Sequence, residues 1–149
     1  MNLATRAEQF LNKGIREVSG PSSHPQILAW LNRTEKLYST DLTINDDTYP
    51  WCGVFVGNMV LDAIAAGENL PPPPSYFQSA GRWVKWGSPV LVGSGKRGDV
   101  VIMARPGGNH VTIISEVVAG GYNCIGGNQG DTVSVVFYPF SRITSIRRP

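Results

Sequence analysis

The sequence predicts an α+β fold in a single domain, and three observations carry that expectation. Apolar residues recur at helical spacing near the start, and residues 50–67 form a long segment that is apolar nearly all round. From Gly98 onward the pattern changes to short strands separated by glycine-rich turns. Helices first and an antiparallel sheet afterwards is the α+β order. A chain of 149 residues falls in the single-domain range and buries a real core without staples. Residues 1–149 are therefore expected to form one domain.

The first helix is expected from Leu3 to Val18. Leu3, Ala7, Phe10, Leu11, Ile15 and Val18 share one face, Arg6, Glu8, Lys13, Arg16 and Glu17 the other, and Ser19-Gly20-Pro21 stops it. A short second helix is expected over about Pro25 to Asn32, with Pro25 near its first position, followed by a polar, irregular stretch to Tyr49. The apolar segment from Pro50 to Gly67 is too long for one strand. Its polar interior residues, Asn58 and Asp62, sit four apart on one face, which marks a buried central helix ended by Gly67. Pro71 to Pro74 read as a stiff spacer, and a further short helix is expected around Tyr76 to Trp86. Strands are expected at Val100–Met103, Val111–Val118, Gly121–Ile125 and Thr132–Tyr138.

Composition excludes several function classes. Charged residues make up 16% of the chain with a net charge of +2, too few and too balanced for binding nucleic acid through a basic surface. Two cysteines cannot make a disulfide framework, and two histidines far apart make no zinc motif. The N-terminal segment lacks a basic region followed by an unbroken apolar stretch, so no secretory signal is expected. No stretch approaches the roughly 18 apolar residues that span a bilayer. The expectation is a protein made in a cytoplasm, without integral membrane contact, that reaches any external target by another route.

Three residues stand out chemically. Cys52 falls in the first turn of the buried helix, where free N–H groups and the helix dipole favour a thiolate; a buried structural thiol is the alternative from position alone. His110 opens the apolar run Val111-Thr112-Ile113-Ile114, where a strand holds an imidazole rigidly at a cleft. Asn128 follows the next strand, and antiparallel pairing would bring it beside His110 to orient the ring, although ordinary turn chemistry also explains an Asn there. Together they match a nucleophile, a base and an orienter. Cys124 and His24 read as structural and solvated respectively. Gly93-Ser94-Gly95-Lys96-Arg97 lacks the first glycine and the Ser/Thr of a phosphate loop, and Asp41, Asn45, Asp46 and Asp47 lack the glycine and distal Glu of a calcium loop.

Tyr49-Pro50-Trp51-Cys52-Gly53-Val54-Phe55-Val56 resembles the nucleophile helix of CHAP- and NlpC-type cysteine peptidases. Gly98-Asp99-Val100-Val101 and Asn109-His110-Val111-Thr112-Ile113-Ile114 resemble their paired strands, and Gly126-Gly127-Asn128-Gln129-Gly130-Asp131 resembles a segment found in phage endolysins. The resemblance implies a papain-like fold, with N-terminal helices including a buried nucleophile helix packed on a small antiparallel sheet. It implies hydrolysis of an amide bond in bacterial peptidoglycan, with Cys52 as nucleophile and His110 as base, and no cofactor or metal. Many relatives carry a Glu two residues before the Asn, where this chain has Gly126, so the third role passes to Asn128, with Gln129 or Asp47 as substitutes. Tyr49, Trp51, Gln129 and Trp86 are candidate substrate contacts; for the tryptophans core packing is an equal alternative. The expected setting is a monomeric phage or prophage endolysin made in the host cytoplasm and acting on the cell wall in the periplasm or envelope. A delivered antibacterial toxin with the same residues, a non-catalytic wall-binding module and a phage structural component are the alternatives.

Overall fold

The computed structural model describes residues 2–17, 24–38 and 51–149. Its framework is one antiparallel sheet of six strands: β1 (Ser88–Val90), β2 (Val100–Arg105), β3 (Gly108–Val118), β4 (Gly121–Gly126), β5 (Ser134–Pro139) and β6 (Ser145–Arg148). They lie in the order β1-β6-β2-β3-β4-β5. Among the described residues three α-helices accompany it, α1 (Leu3–Glu8), α2 (Pro25–Tyr38) and α3 (Cys52–Ala65), with a 3₁₀ turn at Ala80–Lys85.

This sheet-rich architecture overturns the expected papain-like α+β layout of helices packed on a small sheet. Two differences account for the shift. The sheet gains β1 and β6, which are too short to show a clear alternation: β6 pairs with both β1 and β2, as in Val90↔Ile146 and Val101↔Ile146. The helical share also shrinks at the N-terminus. α1 stops at Glu8, because Asn12 (φ 58°) and Gly14 (φ 67°) turn the chain through the left-handed region. Ile15 then joins the sheet's far end: its carbonyl accepts from Val133 N (3.1 Å) and Thr132 Oγ1 (2.6 Å). The helical periodicity past Glu8 thus runs through turns over residues 9–12 and ends in an isolated bridge between Arg16 and Thr132. Conversely α2 continues to Tyr38, beyond the expected end near Asn32. Val18, the expected stop at Ser19-Gly20-Pro21, and 39–50, with Asp41, Asn45, Asp46, Asp47 and Tyr49, lie outside the described residues.

α3 is the buried helix that the apolar segment calls for, and Gly67 (φ 90°) follows its end. Residues 52–60 are all buried. Asn58, wholly buried, donates to Val54 O (2.8 Å) and to Trp30 O and Thr34 Oγ1 (both 3.3 Å), while Arg33 Nη1 donates to Asn58 Oδ1 (3.3 Å) and Asp62 Oδ1 (2.6 Å). The i, i+4 polar pair is therefore the seam to α2. The opposite side of α3 shares an apolar cluster with Val100, Ile102, Val111, Ile113 and Ile125. A second cluster, of Val101, Met103, Ile114, Tyr122, Cys124, Ile143 and Ile146, fills the other face of the sheet. No helix among the described residues is long and apolar enough to cross a membrane.

Candidate active site

Cys52 is the first residue of α3, at the end where the backbone N–H groups have no partner inside the helix. Trp51 precedes it in the cap position, and its side chain makes no capping hydrogen bond to the helix. The sequence Cys52-Gly53 lets another part of the chain come unusually close: a Cβ on Gly53 would lie 2.3 Å from Phe77 O and 2.7 Å from Gln78 O. The carbonyls at 77–78 thus rest directly on the helix tip. They begin the wall of a cleft of about 580 Å³ that runs from Cys52 along Gln78–Arg82 to the β2–β3 turn, Arg105–Asn109.

His110 sits at the start of β3, opposite Met103 of β2, and is buried. Val111 and Ile113 point towards α3, so alternation sends His110 to the other face, with Met103 and the second cluster. There Gln129 meets it. Gln129 donates both amide hydrogens to main-chain carbonyls, Ser134 O (2.7 Å) and Cys124 O (3.2 Å), which turns Oε1 towards His110 Nε2 at 3.1 Å. Nε2 therefore carries the proton and donates it to Gln129, and Nδ1 is the acceptor. The Tyr138 hydroxyl donates to the same Oε1 (3.3 Å), with its ring 5.9 Å from the imidazole. Arg105 Nη1 lies 3.4 Å from Nδ1. Burial pushes the imidazole down to about 4; the Gln129 bond opposes this, and the charges of Arg105 and Arg142 add to it. His110 is a neutral base with a fixed tautomer.

Asn128, the expected orienter, does not take that role. The β4 ladder ends at Gly126, and Asn128 adopts a left-handed φ of 57°, so the turn places the next residue under the strand ends. Gly126 makes this possible: a Cβ there would lie 2.6 Å from Thr112 Oγ1 and 2.9 Å from Gln129 Oε1. Position 126, where the resemblance leads one to expect Glu, carries no side chain, and the Gln129 amide lies in that space.

Neither Trp51 nor Trp86 lines the cleft, which corrects their expected role as substrate contacts. Trp51 is wholly buried, stacked on Trp30, with its indole N–H on Glu17 Oε1 (3.0 Å). The Trp86 indole N–H goes to Pro72 O (3.0 Å) and Pro71 O (3.3 Å), with Trp83 packed edge-on against it. Gln129 is spent on His110 and likewise leaves the set of substrate contacts. Tyr49 lies outside the described residues. Cys124 is enclosed in the second cluster, and burial pushes its thiol up to about 12.

Cys52 and His110 are not joined by a hydrogen bond; Arg105 stands between their roles, touching Nδ1 and lining the cleft with Cys52. Arg105 and Arg82 are the site residues that sequence reading missed. The signal available for Arg105 was its place beside the turn Pro106-Gly107-Gly108, which returns the chain to His110. A second cleft, of about 370 Å³, lies elsewhere among Lys96, Arg97, Asp99 and Arg148. Its charges are largely satisfied internally, Arg148 by Asp99 (2.7 Å) and Arg97 by Glu8.

No family model matches the chain, and no curated protein matches it.

Proposed function

We propose that this protein hydrolyses an amide bond in bacterial peptidoglycan, with Cys52 as nucleophile and His110 as general base, as the resemblance to CHAP- and NlpC-type cysteine peptidases implies. One observation carries the reading: a buried, neutral histidine has its Nε2 proton committed to Gln129, which leaves Nδ1 as the acceptor, 3.4 Å from Arg105, a residue that lines the cleft together with Cys52. In this reading Arg105 yields its place at Nδ1, and the imidazole takes the thiol proton. The thiolate attacks the amide carbon, and the helix-tip N–H of Cys52 faces the developing oxyanion. His110 protonates the leaving amine, then takes a proton from the water that hydrolyses the thioester. Catalytic hydrogen bonds are commonly long in a free enzyme and tighten with substrate, so an unformed thiol–imidazole bond is compatible with this chemistry. A phage or prophage endolysin is the setting this reading favours.

The test is release of soluble fragments from purified peptidoglycan. Cys52→Ala is expected to abolish it while the thermal unfolding transition stays within a few degrees of wild type. Undiminished release by the folded variant would sink the assignment. Mass spectrometry of the fragments identifies the bond: free lactyl groups mean an amidase, new peptide termini an endopeptidase. The unformed thiol–imidazole bond favours one second reading, a module that binds the wall in this cleft without cutting it; wild-type protein that sediments with peptidoglycan but releases nothing would select it.

A further inference from the structure

The cleft holds two guanidinium groups on different walls, Arg82 on the 3₁₀ turn and Arg105 at the β2–β3 turn. No Asp or Glu occurs among its described lining residues. Several arginines elsewhere meet carboxylates, Arg6 with Glu68, Arg33 with Asp62 and Arg148 with Asp99, while Arg147 is held by the main-chain carbonyls of Trp86 and Gly87. Arg82 instead lies 5.7 Å from the centre of the Tyr76 ring, and among the described residues Arg105 has only the 3.4 Å approach to a neutral imidazole nitrogen. A second observation comes from the same wall. Gln78 Oε1 is buried and has no hydrogen-bond partner among the described residues. A buried acceptor without a donor costs about 1–3 kcal/mol, so this position suits a ligand N–H.

We propose that Arg82 and Arg105 bind a carboxylate of the substrate while Gln78 Oε1 accepts a peptide N–H, so that the substrate is an acidic peptide with a free carboxylate near the amide that is cut. This rests on the hydrolytic reading above and narrows it. A planar guanidinium matches a carboxylate with paired hydrogen bonds, and a cleft of one charge sign concentrates an anion. The same contact has a second effect: a carboxylate drawing Arg105 to itself takes the guanidinium off Nδ1, which frees the base when an acidic substrate is bound.

The experiment compares purified peptidoglycan in its native form with the same material after its carboxylates are converted to carboxamides. Cys52→Ala protein is expected to co-sediment with the native form about tenfold more tightly, the difference that one charge-assisted hydrogen bond supplies. Adding Arg82→Gln and Arg105→Gln removes that preference, whereas the charge-matched pair Lys13→Gln and Lys36→Gln, on exposed residues away from the cleft, keeps it. Gln78→Leu weakens binding to both forms alike. Equal binding to the two forms, or a preference that survives the loss of both arginines, overturns the inference whether or not the wild type cuts. A preference that depends on the arginines, with no fragments released by wild-type protein, leaves carboxylate recognition standing and removes the hydrolytic reading.

Discussion

Burying His110 as a neutral base couples the site to pH. Its imidazole is held at about 4, below the ordinary 6.5, so between these values the unfolded chain binds the proton and the folded chain does not. The stability that depends on a neutral His110 is complete above pH 6.5 and is lost as pH falls towards 4. The loss amounts to about 3 kcal/mol. Urea unfolding at pH 7 and pH 4 is expected to show it, and His110→Gln to flatten the difference; an unchanged pH slope in the variant would contradict the burial argument. Under the proposed hydrolysis, release of peptidoglycan fragments should fall on the acid side near pH 4 for the same reason. Gln129 matters at this scale through direction alone, since it fixes which imidazole nitrogen is free. Gln129→Ala should lower turnover about 10²-fold, the cost of a misplaced catalytic group, with little change in substrate affinity. Gly126→Ala should reproduce that loss, because its Cβ needs the space that Gln129 Oε1 fills. Normal turnover in either variant would show that the imidazole does not need this support.

Among the elements, α3 shows how a helix is specified by more than propensity. In an exposed helix, replacing Gly by Ala gains about 1 kcal/mol. At Gly53 the added Cβ would lie 2.3 Å from a main-chain oxygen of Phe77, and at Gly57 it would lie 2.2 Å from the Phe77 ring. The collision outweighs the propensity, because a main-chain oxygen cannot rotate away. Gly53→Ala should therefore destabilise the protein by about 1–3 kcal/mol, and should open the cleft wall at 77–78. Denaturant titration decides between the two effects: a variant more stable than wild type would mean that the 77–78 segment moves aside freely. The α2–α3 seam follows a different rule. Asn58 is legible in the sequence as a polar residue in an apolar helix, yet its four partners come from α2 and from its own helix turn, and no local pattern names them.

For the whole molecule, sequence order and spatial order part company at β6. The last strand lies between β1 and β2, inside the sheet. It also brings Arg148 to the buried Asp99 carboxylate, with Nε to Oδ1 at 2.9 Å and Nη2 to Oδ2 at 2.7 Å. Removing 145–149 would strip an interior strand, leave the β2 edge open and leave a buried carboxylate without its cation. The shortened chain is expected to lose its cooperative thermal transition. A sharp transition and an intact near-ultraviolet circular dichroism spectrum would show that β6 is dispensable.

The buried helix, the turn-separated strands from 100 onward and the places of Cys52 at a helix start and His110 at a strand start were legible in the sequence, because periodicity and helix-end chemistry are local. The sheet-rich architecture was not, since β1 and β6 are three and four residues long and pairing between residues 43 to 60 apart leaves no periodic trace. The orienting residue was missed by one position. Extending the Ile113↔Ile125 register does put 128 across from His110, but the ladder ends first and the left-handed turn hands the contact to Gln129. The tryptophans near the site were drawn into the core by their area, while two arginines with no carboxylate of their own came to face the cleft. Sequence alone determined which thiol and imidazole stand at the start of the buried helix and of the long strand. Only the tertiary structure decided which side chains meet, because that depends on where strands end and on which positions lack a Cβ.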